Sequence, residues 1–346
     1  MPIAIWDGWA KTLGLPLHAL LGGRVRDRVL CDAWSSHRTL DEVGPWVRGY
    51  QDQGYRSIKL KADLEDDAVG LCERVATHAP GMKVIFDPNQ RWENMASVKP
   101  IIRGLEKVGN VLLLEDPIPK WMIPDYADLC RFSSIPIVQH ISLPYIYQGQ
   151  RVHDIIALIQ QRAADGFNFN AGLARFGQLN AVAEAAGLFS FHGSEVDLGV
   201  LEAMYLHQAV AAKSCIWPSD IFGRMIREHD LLKTPLRFEP PYAFVPEGPG
   251  LGVELDPEAI GQCRHQCSDP AAGTDQQGVA VAVIVPSELD DRVPARRAPR
   301  QPPGQRQASL GRHDHRPDAR RNRALDDAAQ SLVIEPFENV GDEPRG

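Results

Sequence analysis

The chain has 346 residues, is 44% hydrophobic and 24% charged, and carries a formal net charge of −8. This composition is typical of a soluble globular protein with one large or two medium domains. It excludes a membrane-spanning protein, because no apolar window is long enough, and an acidic chain argues against nucleic acid as a partner. The N-terminus has no secretory signal and the six cysteines are scattered, so we expect free thiols and a cytoplasmic protein.

Eight short apolar runs alternate with amphipathic stretches between residues 29 and 222. One such stretch, 41–53, places Val43, Val47 and Tyr50 on one helical face. Strands that alternate with helices are typical of parallel sheets, and eight units predict an α/β fold, a closed (β/α)8 TIM barrel. An open doubly wound sheet is the alternative, although no Gly-x-Gly-x-x-Gly motif follows the first run. The runs cover residues 29–34, 57–62, 83–87, 111–115, 135–140, 166–170, 188–192 and 216–221.

Polar residues end several of these runs, where a parallel barrel carries its active site. Lys59 and Lys61 end the second run, and their two-residue spacing points both side chains into the barrel mouth. Asp87 and Asn89 follow the third run with the same spacing, and Glu115 ends the fourth. Carboxylates on adjacent strands repel each other unless a cation lies between them, and oxygen ligands suit Mg²⁺. The fifth, seventh and eighth runs end at His140, His192 and Asp220.

Each of these features also has a structural explanation. A lysine pair at strand spacing is common on a solvated face, and Asp-Pro sequences such as those at Asp87 and Asp116 are common turn formers. A single histidine after a strand is more often structural than catalytic. The coincidence of charged groups at the ends of successive apolar runs is what favours a functional site, in which a lysine beside a cation can act as a base.

Together the motifs resemble the enolase superfamily, specifically its mandelate racemase/muconate lactonizing group. The resemblance covers residues 4–260 and implies an enzyme that removes a proton α to a carboxylate and stabilises the enediolate with Mg²⁺. It rests on the segments AIWDGWAKTLGLPLHALLGG (4–23), KLK (59–61), FDPNQRW (86–92), LEDPI (114–118) and SDIFG (219–223) with PGLGV (249–253).

The resemblance also implies roles for individual residues. Asp87 and Glu115 would bind Mg²⁺, and Asn89 would support these ligands from the second layer around the ion. Lys61 would be the base, while Lys59 would lower the pKa of Lys61 and contact the substrate carboxylate.

Three positions depart from the family pattern. His140 stands where a third carboxylate ligand is expected, so Mn²⁺ or another divalent ion is an alternative to Mg²⁺. Asn168 or Asn170 stands where muconate-type enzymes and amino-acid epimerases carry a further lysine, which disfavours a racemase that acts from both faces. His192 occupies the position of an acid/base histidine, with Asn170 beside it instead of an aspartate.

We therefore expect dehydration of a hydroxy or sugar acid, with Lys61 as base, His192 as acid and Asp220 as a further site residue. Cycloisomerisation or racemisation is the first alternative. A truncated, inactive barrel that serves as a binding or assembly subunit is the second. The expected partners are a small carboxylate substrate and further copies of the chain in a homo-oligomer.

The predicted organisation follows from the family pattern and from a change in composition near residue 262. Phe337 is the only aromatic residue beyond position 260, and residues 292–306 are rich in proline and arginine, which leaves little to bury. We expect a disordered or out-of-frame tail there; a basic nucleic-acid arm is the alternative. The predicted parts are the end of a capping domain (1–28), the barrel (29–235), a returning capping segment (236–260) and the tail (261–346).

Overall fold

The computed structural model describes residues 3–142, 152–194 and 197–268, with side chains as far as residue 263 in the last helix. The helices are α1 Ile3–Thr12, α2 Leu17–Leu20, α3 Leu40–Asp52, α4 Ala68–His78, α5 Met95–Val108, α6 Ile123–Phe132, α7 Val152–Gln161, α8 Leu173–Ala185, α9 Gly199–Ala211, α10 Gly223–Ile226 and α11 Pro257–Ser268. The strands are β1 Arg28–Leu30, β2 Ala33–Ser35, β3 Ser57–Leu60, β4 Lys83–Phe86, β5 Val111–Glu115, β6 Ile137–Ser142, β7 Gly166–Asn170, β8 Phe189–His192, β9 Phe238–Glu239 and β10 Tyr242–Phe244. Within these residues, no helix has the length and apolar character needed to cross a membrane.

Local signals set the helix boundaries that position the loops of the mouth. Thr39 and Glu42 form a capping box at the start of α3, in which each side chain bonds the other residue's backbone N–H. Asn94 accepts hydrogen bonds from two backbone N–H groups at the start of α5. The same helix ends at Gly109, whose φ of 79° is in the left-handed region that glycine adopts without strain.

Strands β2 to β8 form one parallel sheet of seven strands in chain order, and helices connect them. The predicted barrel architecture is confirmed. The prediction of a regular eighth strand over residues 216–221 is wrong. Residues 215–220, the closing segment, reach both sheet edges through two isolated bridges, Ser190 with Cys215 and Cys31 with Ser219. Pro218 has no N–H to donate to a ladder, which explains why the strand stays irregular.

An aromatic pair lies beside the closing segment at the mouth. Trp34 on β2 stacks on Phe222, with ring centroids 4.4 Å apart and an interplanar angle of 3°. The pair connects β2 to Phe222, which lies two residues beyond the closing segment.

A second, antiparallel sheet lies at the start of the barrel and combines β1, β10 and β9. The predicted run 29–34 is therefore divided: Leu30 pairs with Tyr242, whereas Ala33 pairs with Ile58 in the barrel. The backbone between them turns from one sheet to the other, since Cys31 donates its N–H to Pro241. The segment predicted to return to a cap thus pairs with β1.

The helix α11 continues to Ser268 and thus extends into the range 261–346 that is predicted as a tail. The remainder of the predicted tail, 269–346, lies outside the described residues.

The barrel interior is divided into an apolar plug and a polar mouth. The plug consists of Ile85, Leu112, Leu113, Val138, Phe189, Phe191 and Trp217. Because side chains in a strand alternate between faces, Asp87, Glu115 and His140 follow Ile85, Leu113 and Val138 on the same inward face. The apolar plug therefore supports a layer of titratable side chains from below.

Candidate active site

The centre of the mouth is the buried ammonium of Lys59. Its side chain is 2% exposed, and its Nζ lies 2.8 Å from Asp220 Oδ2, 3.0 Å from Glu115 Oε2 and 3.1 Å from Asp87 Oδ2. Burial alone would lower the pKa of Lys59, but these three carboxylates outweigh it and raise that pKa well above its ordinary value. Lys59 is thus a permanently charged group enclosed by carboxylates from separate parts of the sheet, which we call the Lys59 cage.

Lys61 lies one inward position further along the chain and is accessible. Its side chain is 18% exposed, and its Nζ forms an ion pair with Asp87 Oδ2. The other oxygen of Asp87 accepts the backbone N–H of Asn89 at 3.0 Å. The two lysines hold the pKa of Asp87 well below its usual range despite its burial. Asn89, which is exposed and has a φ of 48°, thus supports Asp87 through its backbone.

Glu115 joins Lys59 to residues on β6 and β7. Its Oε1 accepts a hydrogen bond from Asn168 Nδ2 at 3.0 Å and lies 3.5 Å from His140 Nδ1. Burial, together with the negative charge of Asp87, raises the pKa of Glu115 to about 8. Burial lowers the pKa of His140 well below its ordinary value, so this imidazole is neutral. The structure therefore brings His140 to the predicted cluster.

Asp32 is a member of the cluster that sequence reasoning missed. Asp32 is fully buried, and neither of its oxygens has a hydrogen-bond partner within the described part of the chain. Its pKa is raised well above the ordinary value by burial and by the nearby charge of Asp220. A charged residue inside the apolar run VLCDAW was the available signal. Four buried carboxyl groups, those of Asp32, Asp87, Glu115 and Asp220, thus lie near the two ammonium groups of Lys59 and Lys61.

Asn170 is an inward-facing donor at the mouth. It lies two residues beyond Asn168 on β7 and is buried. Its Nδ2 has no acceptor among the residues that the structure describes. This amide can therefore donate a hydrogen bond to an oxygen of a bound small molecule.

His192 does not face the cluster, contrary to the prediction that it acts at the mouth. Phe189 and Phe191 take the two inward positions of β8, so His192 points outward into the layer of helices. Its Nδ1 lies 2.6 Å from the Gly193 carbonyl oxygen, its Nε2 lies 3.0 Å from Gln208 Oε1, and its ring stacks on Phe176. Both nitrogens thus face groups away from the cluster, and this placement removes the expected acid from the mouth.

Replacing His192 by glutamine should make the stability of the fold less sensitive to acid. Burial lowers the pKa of His192 to about 4, from 6.5, so between these values the unfolded chain binds a proton that the folded chain does not. The free energy of unfolding consequently falls as the pH drops through this window, on the order of 3 kcal/mol for a shift of this size. Urea unfolding at neutral pH and near pH 4 checks this.

The matched control for that experiment is His153→Gln on α7, because the side chain of His153 is 68% exposed. This control should keep the pH dependence of the wild-type chain. An equally steep loss of stability in His192→Gln and in the wild type would show that His192 is not the buried neutral group described above.

The Mg²⁺ that the resemblance implies does not fit this donor set. Mg²⁺ requires oxygen ligands in near-octahedral geometry, whereas the third predicted ligand, His140, offers a nitrogen directed at Glu115. The two predicted carboxylate ligands already bond Lys59. Across the described ranges, no three His, Cys, Asp or Glu side chains are available to hold a metal ion, because Asp87, Glu115 and Asp220 surround the Lys59 ammonium.

The fold and the site together define a class of protein. A parallel α/β barrel carries a Lys-x-Lys pair and carboxylates at the carboxyl ends of its strands, which is the arrangement of barrel enzymes that act on small molecules. Residues 43–259 match the model of the family described as "Enolase C-terminal domain-like". The chain belongs to this family, within the mandelate racemase/muconate lactonizing group of the enolase superfamily.

Its relatives are named as enzymes of several reaction types. Muconate cycloisomerase 1 from Rhodococcus opacus is 30% identical over 75% of this chain and 69% of its own length. The L-Ala-D/L-Glu epimerase from Bacillus subtilis is 27% identical over 72% of this chain and 68% of its own. A probable glucarate dehydratase from Streptomyces coelicolor is 28% identical over 75% and 63%.

The fold resembles solved structures of the same group. The 2-chloromuconate cycloisomerase from Rhodococcus opacus 1CP superimposes with a TM-score of 0.68 at 26% identity, over 75% of this chain and 72% of that one. The curled parallel sheet is therefore the architecture of a known enzyme family.

Proposed function

We propose that this chain removes the proton α to the carboxylate of a small acid, with Lys61 as the base. The observation that carries the proposal is the placement of Lys61 at the open end of the barrel, bonded to Asp87 and 18% exposed. A base must be able to give up its own proton first, and Lys59 is held as an ammonium by three carboxylates.

In the proposed reaction each residue at the mouth has a separate role. The Lys61 amine takes the α-proton, and Asp87 orients Lys61 Nζ through their ion pair. Asn170 Nδ2, which is buried and has no other acceptor in the described chain, donates to an oxygen of the acid. Negative charge that develops on that oxygen is stabilised by a donor already in place. Lys59 supplies positive charge below the reacting centre and keeps Asp87 and Glu115 in position.

The placement of His192 and Asn170 limits which reaction can follow removal of the α-proton. Dehydration with His192 as acid loses its support, because His192 faces the helices. An epimerisation with one lysine on each face lacks its second lysine, since Asn170 stands there. We therefore propose chemistry on one face with a single base, either cycloisomerisation or an elimination in which Lys61 returns the proton to the leaving group.

Proton exchange is the direct test. The full chain in D₂O should introduce deuterium at the α-carbon of at least one acid in a panel of hydroxy, sugar and unsaturated carboxylic acids, followed by NMR. Exchange needs only removal and return of the proton, so it does not depend on the later step. The variant His192→Gln should exchange at the wild-type rate. If no acid in the panel exchanges, the proposal is wrong.

A second candidate function is a non-catalytic barrel that binds small acids or serves in an assembly. The observation that favours it is the misfit between the mouth and Mg²⁺, in particular His140 at the position of a carboxylate ligand. An acid that binds in ligand-observed NMR and retains its α-proton would support this candidate over the first.

A further inference from the structure

The Lys59 cage occupies the place where a cation is needed. Lys59 Nζ lies 3.1 Å or less from carboxylate oxygens of Asp87, Glu115 and Asp220, and the lysine side chain is 2% exposed. These carboxylates come from β4, β5 and the closing segment, so the ammonium joins three parts of the barrel wall. A buried carboxylate requires a compensating charge, and here one ammonium provides it for several.

The remaining donors of the mouth add little negative charge with which to bind a divalent ion. A histidine side chain carries no negative charge as a ligand, so a set that contains His140 has one negative charge fewer than a set of three carboxylates. An ion between Asp87 and Glu115 would also have to displace an ammonium that bonds both of them. The displaced lysine would keep Asp220 as its partner but would remain buried with two of its three ion pairs lost.

We infer that the ammonium of Lys59 is the resident cation of this mouth, so that the folded chain holds its carboxylates together without a divalent metal. The inference concerns binding and stability and does not rest on the proposed function. Two consequences follow: chelators should leave the fold unchanged, and any proton exchange at Lys61 should be insensitive to them.

Electron paramagnetic resonance of Mn²⁺ tests the inference directly. Added to the full chain after treatment with a chelator, Mn²⁺ should retain the signal of the free ion. Stoichiometric binding that disappears in Asp87→Asn or in Glu115→Gln would overturn the inference. Binding that survives both substitutions lies elsewhere on the protein and leaves the inference supported.

Two variants should create the site that the wild-type chain lacks. Lys59→Met empties the cage and His140→Asp restores a third carboxylate; each should bind Mn²⁺ at least about tenfold more tightly than the wild type, which corresponds to about 1.4 kcal/mol. Lys61→Met is the matched control, because Lys61 contacts one carboxylate and is partly exposed, and it should show a smaller gain.

The test does not depend on the folding of Lys59→Met. If this variant unfolds, its recovery on addition of Mn²⁺, seen by circular dichroism, supports the inference. His140→Asp retains Lys59 and gives an independent measurement. Failure of both variants to gain affinity for Mn²⁺ over the wild type would contradict the inference, whatever the outcome of the exchange assay.

Discussion

Replacing Lys59 by methionine should lower the free energy of unfolding by about 3–5 kcal/mol, the usual effect of removing one partner from a buried ion pair. Methionine matches the length of the lysine stem but leaves Asp87, Glu115 and Asp220 facing one another without the ammonium that now bonds all three. Urea unfolding followed by circular dichroism measures the change. The loss should shrink at low pH, where protonation of the carboxylates relieves their repulsion.

The control is Lys213→Met, since Lys213 is 68% exposed and its pair with Glu184, at 3.3 Å, is on the surface. Surface pairs contribute about 0–1 kcal/mol. If Lys59→Met were as stable as this control, Lys59 would not be the group that holds the mouth together.

Replacing Lys61 by alanine should slow α-deuterium exchange by about 10²–10⁴-fold, the typical contribution of a general base. The fold should remain intact, because Lys61 is partly exposed and Asp87 keeps Lys59 as a partner. The measurement is the initial rate of deuterium incorporation under conditions in which the wild type is active. Circular dichroism of the same samples excludes unfolding as the cause.

The matched control for Lys61 is Lys120→Ala. Lys120 is also a partly exposed lysine, 21% against 18%, and it too bonds a buried carboxylate, Asp116 at 2.9 Å. It lies outside the Lys59 cage, so its removal should change exchange far less. If exchange persists in Lys61→Ala and stops in Lys120→Ala, then the base is Lys120 and its assignment to Lys61 is wrong.

The residues that could be predicted from the sequence are those whose face follows from a short, well-placed strand. Asp87 and Glu115 lie two positions beyond the apolar inward residues Ile85 and Leu113, and a two-residue period is enough to direct them into the mouth. Lys59 has the same spacing from Lys61. The predicted barrel follows from the same alternation, repeated along the chain. The contact between Lys59 and Asp220 could not be predicted in this way, because the two residues are 161 positions apart in the sequence and meet only in the folded barrel.

The failures also have physical reasons. His192 was assigned to the mouth because it ends a strand, and the face of the sheet on which it lies was not considered. Phe191 faces inward, so its neighbour His192 faces outward. Asp32 lies in a run read as one strand, whereas the backbone changes sheets at that point. The irregular closing segment depends on Pro218, whose missing N–H was visible in the sequence.

The closing segment gives the barrel wall a seam. Its backbone bonds β8 on one side, where Asp220 donates its N–H to the His192 carbonyl, and the chain before β2 on the other, where Ser219 donates to Leu30, but it belongs to no regular ladder. Separation there would withdraw Asp220 and give Lys59 a sideways path to water that the mouth does not offer. The stacked rings of Trp34 and Phe222 fasten this seam at its outer end. Opening of this seam therefore exposes a buried ion pair, and exchange of the Lys59 ammonium protons with solvent follows that opening.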